Sequence, residues 1–362
     1  MTTPCDQLLA LLRTPERAER LSESDWDGVV RIARRCDVLA TLGDRLQSAG
    51  VAGRVPRAAW WHMEGELHAA AAHHRNVRWE VRRIAEALGS SGLSFALLKG
   101  SAYVLAELAA GRGRVFHDVD ILVPRADLAR AEAALEIHGW VTLHREGYDQ
   151  RYYRLWMHEI PPMQHVRRGT TLDVHHNLLP LTAPLHPDGD RLWAATVPLP
   201  GWSGVRIPAE TDLVLHSAAH LFFDGAFEMG LRDLLDLDAL LREFGRRNAF
   251  WAALTRRAEQ QDLMRPLADG LYWSRRMLGT PLPARALRFA EVHRRRGFRG
   301  RLVERLFTQG LRPNHPLCAG AGAALSRWLL YVRSHTLRMP LHMIVPHLLR
   351  KALRTPRDAA AA

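Results

Sequence analysis

Apolar residues recur at helical spacing through WDGVVRIARRCDVLATLGDRLQ and HRNVRWEVRRIAEALGSSG, with Gly and Ser at the breaks, so residues 1–88 read as a helical N-terminal region. The texture changes at Leu93. SFALLKG is a short apolar run closed by glycine, SAYVLAELAAG has helix spacing, VFHDVDILVP alternates, and ADLARAEAALEIHGW returns to helix spacing, giving the order β-α-β-α. WVTLHRE, a Tyr- and Arg-rich stretch YDQRYYRLWMHEIP, and MQHVRRGTTLDVHHNL follow, with Arg168-Gly169 placed to turn one strand into the next. This pattern predicts an α/β (α+β) unit with a mixed sheet. A Pro-rich connection, LLPLTAPLHPDGDRLW and VPLPGWSGVRIP, ends it near Pro208. Helix spacing resumes in ETDLVLHSAAHLFF, LRDLLDLDALLREFG, NAFWAALTRRAEQQ and RPLADGLYWSRRML. The expected organisation is a helical region 1–88, an α/β core 89–208, and a helical region 209–362 ending in an Arg-rich amphipathic tail.

Composition narrows the class. With 362 residues and 47% hydrophobic content the chain can bury a substantial core. Its formal net charge of +12 favours polyanionic partners such as nucleotide phosphates, nucleic acid or an acidic membrane face. Of 50 Lys and Arg side chains only Lys99 and Lys351 are lysine, so much of the charge reads as a preference for Arg on solvated surface. Cys5, Cys36 and Cys318 are far apart and form no CxxC, which argues against a disulfide framework or a thiolate zinc site and fits a reducing cytosol. The N-terminus lacks a basic n-region and breaks its apolar run at Arg13 and Pro15, and no window has 18 uninterrupted apolar residues. The expectation is a soluble cytoplasmic protein without a transmembrane segment, with association at a membrane surface as a lesser alternative.

The chemistry concentrates between Lys99 and His175. Residues i and i+2 of a strand share a face, so Asp118 and Asp120 present two carboxylates together while Val119 and Ile121 turn to the core. Adjacent anions need a cation, and Mg²⁺ characteristically takes one or two carboxylates plus substrate phosphates. Gly100-Ser101, where LSFALL passes into a helix, would offer backbone N–H groups and the positive end of the helix dipole to a phosphate. Asp173 in TTLDVHHNL adds a third carboxylate on a strand expected in the same sheet, with His175 two residues on and on the same face. Three acids on neighbouring strands suit two divalent ions, Mg²⁺ or alternatively Mn²⁺, and in-line displacement at phosphorus.

This order of Gly-Ser, helix, Asp-x-Asp strand, helix and later strand Asp resembles the nucleotidyltransferase superfamily typified by DNA polymerase β. LLKGSAYVLAELAAGRGRVFHDVDILVPRADLARAEAALEIHGW looks most like its bacterial family of uncharacterised nucleotidyltransferases, with Lys-Gly before the helix, an Arg four residues ahead of the first Asp, and an L-D-x-H-x-x-L strand. The likeness spans about residues 90 to 240. It implies metal binding by Asp118 and Asp120, Asp173 as third acid and base for the acceptor hydroxyl, and a triphosphate held by Gly100 and Ser101. Lys99 and Arg114 match the family's basic positions, either touching phosphate or fixing the carboxylates. His175 would orient Asp173 or an acceptor, or be a buried hydrogen-bonded histidine.

The resulting expectation is Mg²⁺-assisted transfer of a nucleoside monophosphate from an NTP such as ATP to an unidentified small-molecule, peptide, protein or RNA acceptor, releasing pyrophosphate. A non-catalytic nucleotide- or anion-binding module and an RNA- or tRNA-directed transferase are the alternatives. Asp118 and Asp120 are expected to accept replacement by Asn without unfolding. His216 and His220 lie at i and i+4, the spacing of a metal pair, but no HExxH glutamate accompanies them and they are read as core, with Asp233 beyond them unassigned. The tail LSRWLLYVRSHTLRMPLHMIVPHLLRKALR, broken at Pro340 and Pro346, is expected to pack as a helical pair with Arg on its wet side.

Overall fold

In the computed structural model of the chain, which describes residues 3–143, 146–224, 227–339 and Ile344, four helices lead: Pro4–Arg13, Glu23–Arg35, Leu39–Ser48 and the 33-residue Arg57–Gly89. Their starts are marked chemically. The Thr3 hydroxyl accepts from Asp6 N, and Ser22 and Asp25 form a reciprocal capping box that satisfies N–H groups left unpaired at a helix start.

The sheet follows. Its strands are β1 (Phe95–Leu97), β2 (Asp118–Leu122), β3 (Trp140–Thr142), β4 (Met163–His165), β5 (Thr171–His175), β6 (Val197–Pro198) and β7 (Val205–Ile207). They lie in the order β3-β4-β5-β2-β1-β7-β6, with β2–β5 and β1–β7 parallel and the other pairs antiparallel, a mixed sheet as expected. The β4–β5 turn uses Gly169 at φ 69°, a conformation that glycine adopts without steric cost. The helix Lys99–Leu105 separates β1 from β2, and Leu128–Ile137 separates β2 from β3.

Two segments add structure that periodicity did not predict. The Tyr- and Arg-rich stretch forms a helix, Gly147–Trp156. The Pro-rich connection contains the helix Gly189–Ala194 and the β6–β7 hairpin, which extends the sheet through main-chain pairing of β7 with β1. Such pairing needs no apolar alternation, so the prolines concealed it. Val119 and Ile121 are buried as expected, but Asp120 is also only 3% exposed, while Asp118 on the same face is half-buried.

Helices Glu210–Ala219, Gly230–Phe244, Asn248–Gln260, Met264–Leu278, Ala284–His293, Gly297–Gly310 and Ala323–Arg338 follow. A continuous apolar cluster runs from Leu11 in the leading helices through Ile121 in the sheet to Leu237 in the later ones. In the tail, Leu330 is buried while Leu325, Trp328 and Tyr331 are exposed. Arg333, expected on the wet side, instead donates to Phe222 O at 3.0 Å and lies over the Phe307 ring. Pro340, Pro346 and the second member of the expected pair lie outside the described residues. No helix among the described residues is long and apolar enough to cross a membrane.

Candidate active site

The turn from β1 into the Lys99–Leu105 helix is made under local constraint. Lys99 has φ 45°, a left-handed conformation that costs a non-glycine residue about 1 kcal/mol or more. Gly100 follows because a Cβ there would lie 2.6 Å from the Phe116 ring. Ser101 is buried, and its hydroxyl donates to Leu98 O at 2.8 Å, with Asp120 O at 3.4 Å. That hydroxyl therefore ties the turn to β2.

The parallel pairing of β2 with β5 sets Asp118 opposite Thr171, Asp120 opposite Asp173 and Leu122 opposite His175. Asp120 Oδ1 receives Lys99 Nζ at 2.7 Å and His175 Nε2 at 3.0 Å. Burial opposes ionisation of Asp120, but the Lys99 ammonium and the His175 hydrogen bond prevail and hold it well below the usual carboxylate range. Burial likewise disfavours charge on Lys99, and the Asp120 carboxylate outweighs it, keeping the ammonium protonated above its ordinary value. His175 is raised in the same way: burial is outweighed by its hydrogen bond to Asp120 and by Glu159.

Asp173 has the opposite fate. Burial, then the charges of Asp120 and Glu159, push it up to about 7, and its Oδ1 is buried without a hydrogen-bond partner. Burial and neighbouring anions of this kind favour a cation beside the ionised carboxylate. Asp120, Asp173 and His175 each offer a ligand atom, all within 4.8 Å of one another, so these residues fit a metal ion. Asp118 is half-buried at the start of β2 and stands outside that group of three, though its charge acts on both Lys99 and Asp173. The fold thus unites Lys99, Asp120, Asp173 and His175, with Asp118 at the rim.

Glu159 and His158 are the neighbours that sequence reasoning missed. Glu159 pairs with His175 through an isolated antiparallel bridge, and its Oε2 stands 3.4 Å from His175 Nδ1. No motif marks these two residues. Their only sequence signal is an adjacent His-Glu shortly before the strand that becomes β4.

Arg114 has other partners among the described residues. It is buried and donates to Asp236 Oδ2 at 2.7 Å and to Val115 O at 2.9 Å, with Asp233 4.0 Å away. The carboxylates it meets belong to the Gly230–Phe244 helix. Asp233 thereby becomes part of a buried ionic clamp. His216 and His220 diverge: burial, then Lys99, holds His216 well below its ordinary value, whereas His220 Nε2 lies 3.9 Å from Asp233 Oδ2. Among the described residues, neither joins a group of three metal-capable side chains.

A family model described as uncharacterised nucleotidyltransferase matches residues 22–279, a span that includes every side chain of the cluster. No curated protein and no solved structure was found to be similar to the chain.

Proposed function

The chain belongs to the uncharacterised nucleotidyltransferase family, and on that premise we propose that it transfers a nucleoside monophosphate from an NTP to an acceptor hydroxyl or amine, releasing pyrophosphate. The reading includes membership of the DNA polymerase β-like superfamily. One observation carries it: Asp120 and Asp173 sit side by side on parallel strands, Asp120 braced at one oxygen by Lys99 and His175, and Asp173 with a buried oxygen lacking a partner. Such a pair is organised to receive a hard cation.

In this proposal Asp118, Asp120 and Asp173 hold Mg²⁺, which would neutralise charge developing on the transferring phosphoryl group. Lys99 and His175 keep Asp120 ionised and fix its orientation, so the carboxylate need not reorganise when substrate binds. The backbone at Gly100 and Ser101 receives the triphosphate. Asp173, the third acid of the pattern, accepts the acceptor's proton. Arg114 contributes by joining the core to the Gly230–Phe244 helix.

The test is intact-mass screening of acceptors with each NTP and Mg²⁺. A nucleotidyl-sized increment that disappears in Asp118→Asn supports the reading. An increment that persists undiminished in that variant removes Asp118 from the chemistry.

A further inference from the structure

A second group of metal-capable side chains lies against the first. His158 and Glu159 occupy the segment between the Gly147–Trp156 helix and β4, and its backbone is pinned to the end of β5: His176 N donates to His158 O at 2.8 Å and Ile160 N to Val174 O at 3.0 Å. This pairing turns Glu159 towards His175. Glu159 Oε2 stands 3.4 Å from His175 Nδ1 and 4.0 Å from His158 Nε2, and the two imidazole centroids are 5.2 Å apart. Ligands held tetrahedrally at about 2.0–2.1 Å from an ion are themselves separated by about 3.4 Å. One of these separations already matches, and the other closes with a small movement of His158.

A second observation points into the same space. His175 is 2% exposed and its Nδ1, the nitrogen facing Glu159, is buried without a hydrogen bond. Its other nitrogen is engaged with Asp120. One ring therefore stands between two groups, each with three ligand atoms within 4.8 Å: Asp120, Asp173 and His175 on one side, His158, Glu159 and His175 on the other. Their chemistries differ. Aspartate oxygens suit Mg²⁺, whereas two imidazoles with one carboxylate form a donor set typical of Zn²⁺ and neighbouring transition ions.

We propose that His158, Glu159 and His175 form a binding site for a divalent transition ion of the zinc class, distinct from the aspartate site and joined to it by the His175 ring. The consequence for the ring follows from its two nitrogens. An ion on Nδ1 leaves the proton on Nε2, where it is donated to Asp120 Oδ1, the metal–histidine–carboxylate arrangement that fixes both tautomer and orientation. The link to catalysis rests on the nucleotidyltransferase reading. Ion binding itself does not.

The experiment titrates chelator-treated full-length protein with Co²⁺ in millimolar Mg²⁺ and follows the visible ligand-field bands. Expected is one Co²⁺ equivalent that Mg²⁺ does not displace and Zn²⁺ does, with affinity at least tenfold weaker in His158→Gln and Glu159→Gln and unchanged in Asp118→Asn. Circular dichroism identifies any variant that fails to fold, and either histidine or glutamate variant suffices. The proposal is overturned if the wild-type chain gives no bands, or if they survive in the folded His158 and Glu159 variants. Loss of the bands in Asp118→Asn alone overturns it too, by placing the ion among the aspartates. Co²⁺ binding without any nucleotidyl transfer would sink the catalytic reading and leave this site standing.

Discussion

Lys99 Nζ lies 2.7 Å from Asp120 Oδ1, and the lysine reaches that position from a left-handed backbone conformation at the start of a helix. One of the two lysines in the chain thus neutralises the more deeply buried member of the Asp-x-Asp pair. Asp118 and Asp120, alike in the sequence, consequently occupy different electrostatic settings. Their variants should behave differently.

Asp118 is half-buried, so Asp118→Asn should lower turnover by at least about 100-fold while leaving the melting temperature near that of the wild type. Asp120→Asn should do both kinds of damage, because it strands the Lys99 ammonium; breaking a buried pair in this way costs about 3–5 kcal/mol. Both aspartates are expected to accept Asn without unfolding, and the buried ion pair adds a stability cost at Asp120 alone. Thermal denaturation beside mass-detected turnover separates the effects, and equal stability of the two variants would contradict the pairing.

Lys99→Arg keeps the charge but introduces a planar fork where a single ammonium meets Asp120 Oδ1. Expected is about a tenfold loss in kcat/KM for the nucleotide, with the protein still folded. Lys99→Met should destabilise far more, as it leaves Asp120 with His175 in place of a fixed cation. An unchanged rate and KM in the Arg variant would make the choice of lysine incidental.

Gly100→Ala brings a methyl group to 2.6 Å from the Phe116 ring, an overlap that should cost about 1–3 kcal/mol. Phe116→Leu in the same chain should recover part of that loss. Urea titration of the two single variants and the double variant supplies the cycle. Strict additivity would show that the glycine serves something other than close packing.

Arg114→Ala removes the partner of Asp236 inside the protein and should lower stability by about 3–5 kcal/mol. Where the variant remains folded, at low temperature, its KM for the nucleotide should be within about twofold of wild type, because the guanidinium is engaged by Asp236 and by Val115 O. A large rise in KM at full stability would restore a phosphate-binding role.

His73 is pushed down to about 4, first by burial and then by the charges of His74, His117 and Arg114. In the unfolded chain it binds a proton near 6.5, so between about pH 6.5 and 4 the unfolded state holds more protons and this residue makes stability fall as pH falls. His73→Gln should flatten that dependence, by at most about 1.4 kcal/mol per pH unit. Urea midpoints at pH 7 and pH 5 provide the measurement. Identical slopes in the two proteins would mean that the imidazole accepts its proton while folded.

Much of the acidic site was legible before the fold because its signals are local. The i, i+2 relation puts Asp118 and Asp120 on one face, Gly169 marks the β4–β5 turn, and the apolar run closed by Gly100 marks the strand-to-helix passage. The β6–β7 hairpin was hidden because it joins the sheet through main-chain bonds. Glu159 was hidden for a related reason: its place beside His175 comes from backbone pairing between a loop and the end of β5.

By itself the sequence determined the alternation of helical and strand segments, the ordered Gly-Ser, Asp-x-Asp and later Asp pattern, and the mixed α/β class, since each depends on side-chain periodicity along the chain. Only the tertiary structure decided which carboxylate each cation serves. Lys99 went to Asp120, Arg114 to Asp236, and Asp173 was left with an unpartnered oxygen. Those pairings join residues distant in sequence, and their strengths depend on burial and separation in space, quantities that exist only once the chain has folded.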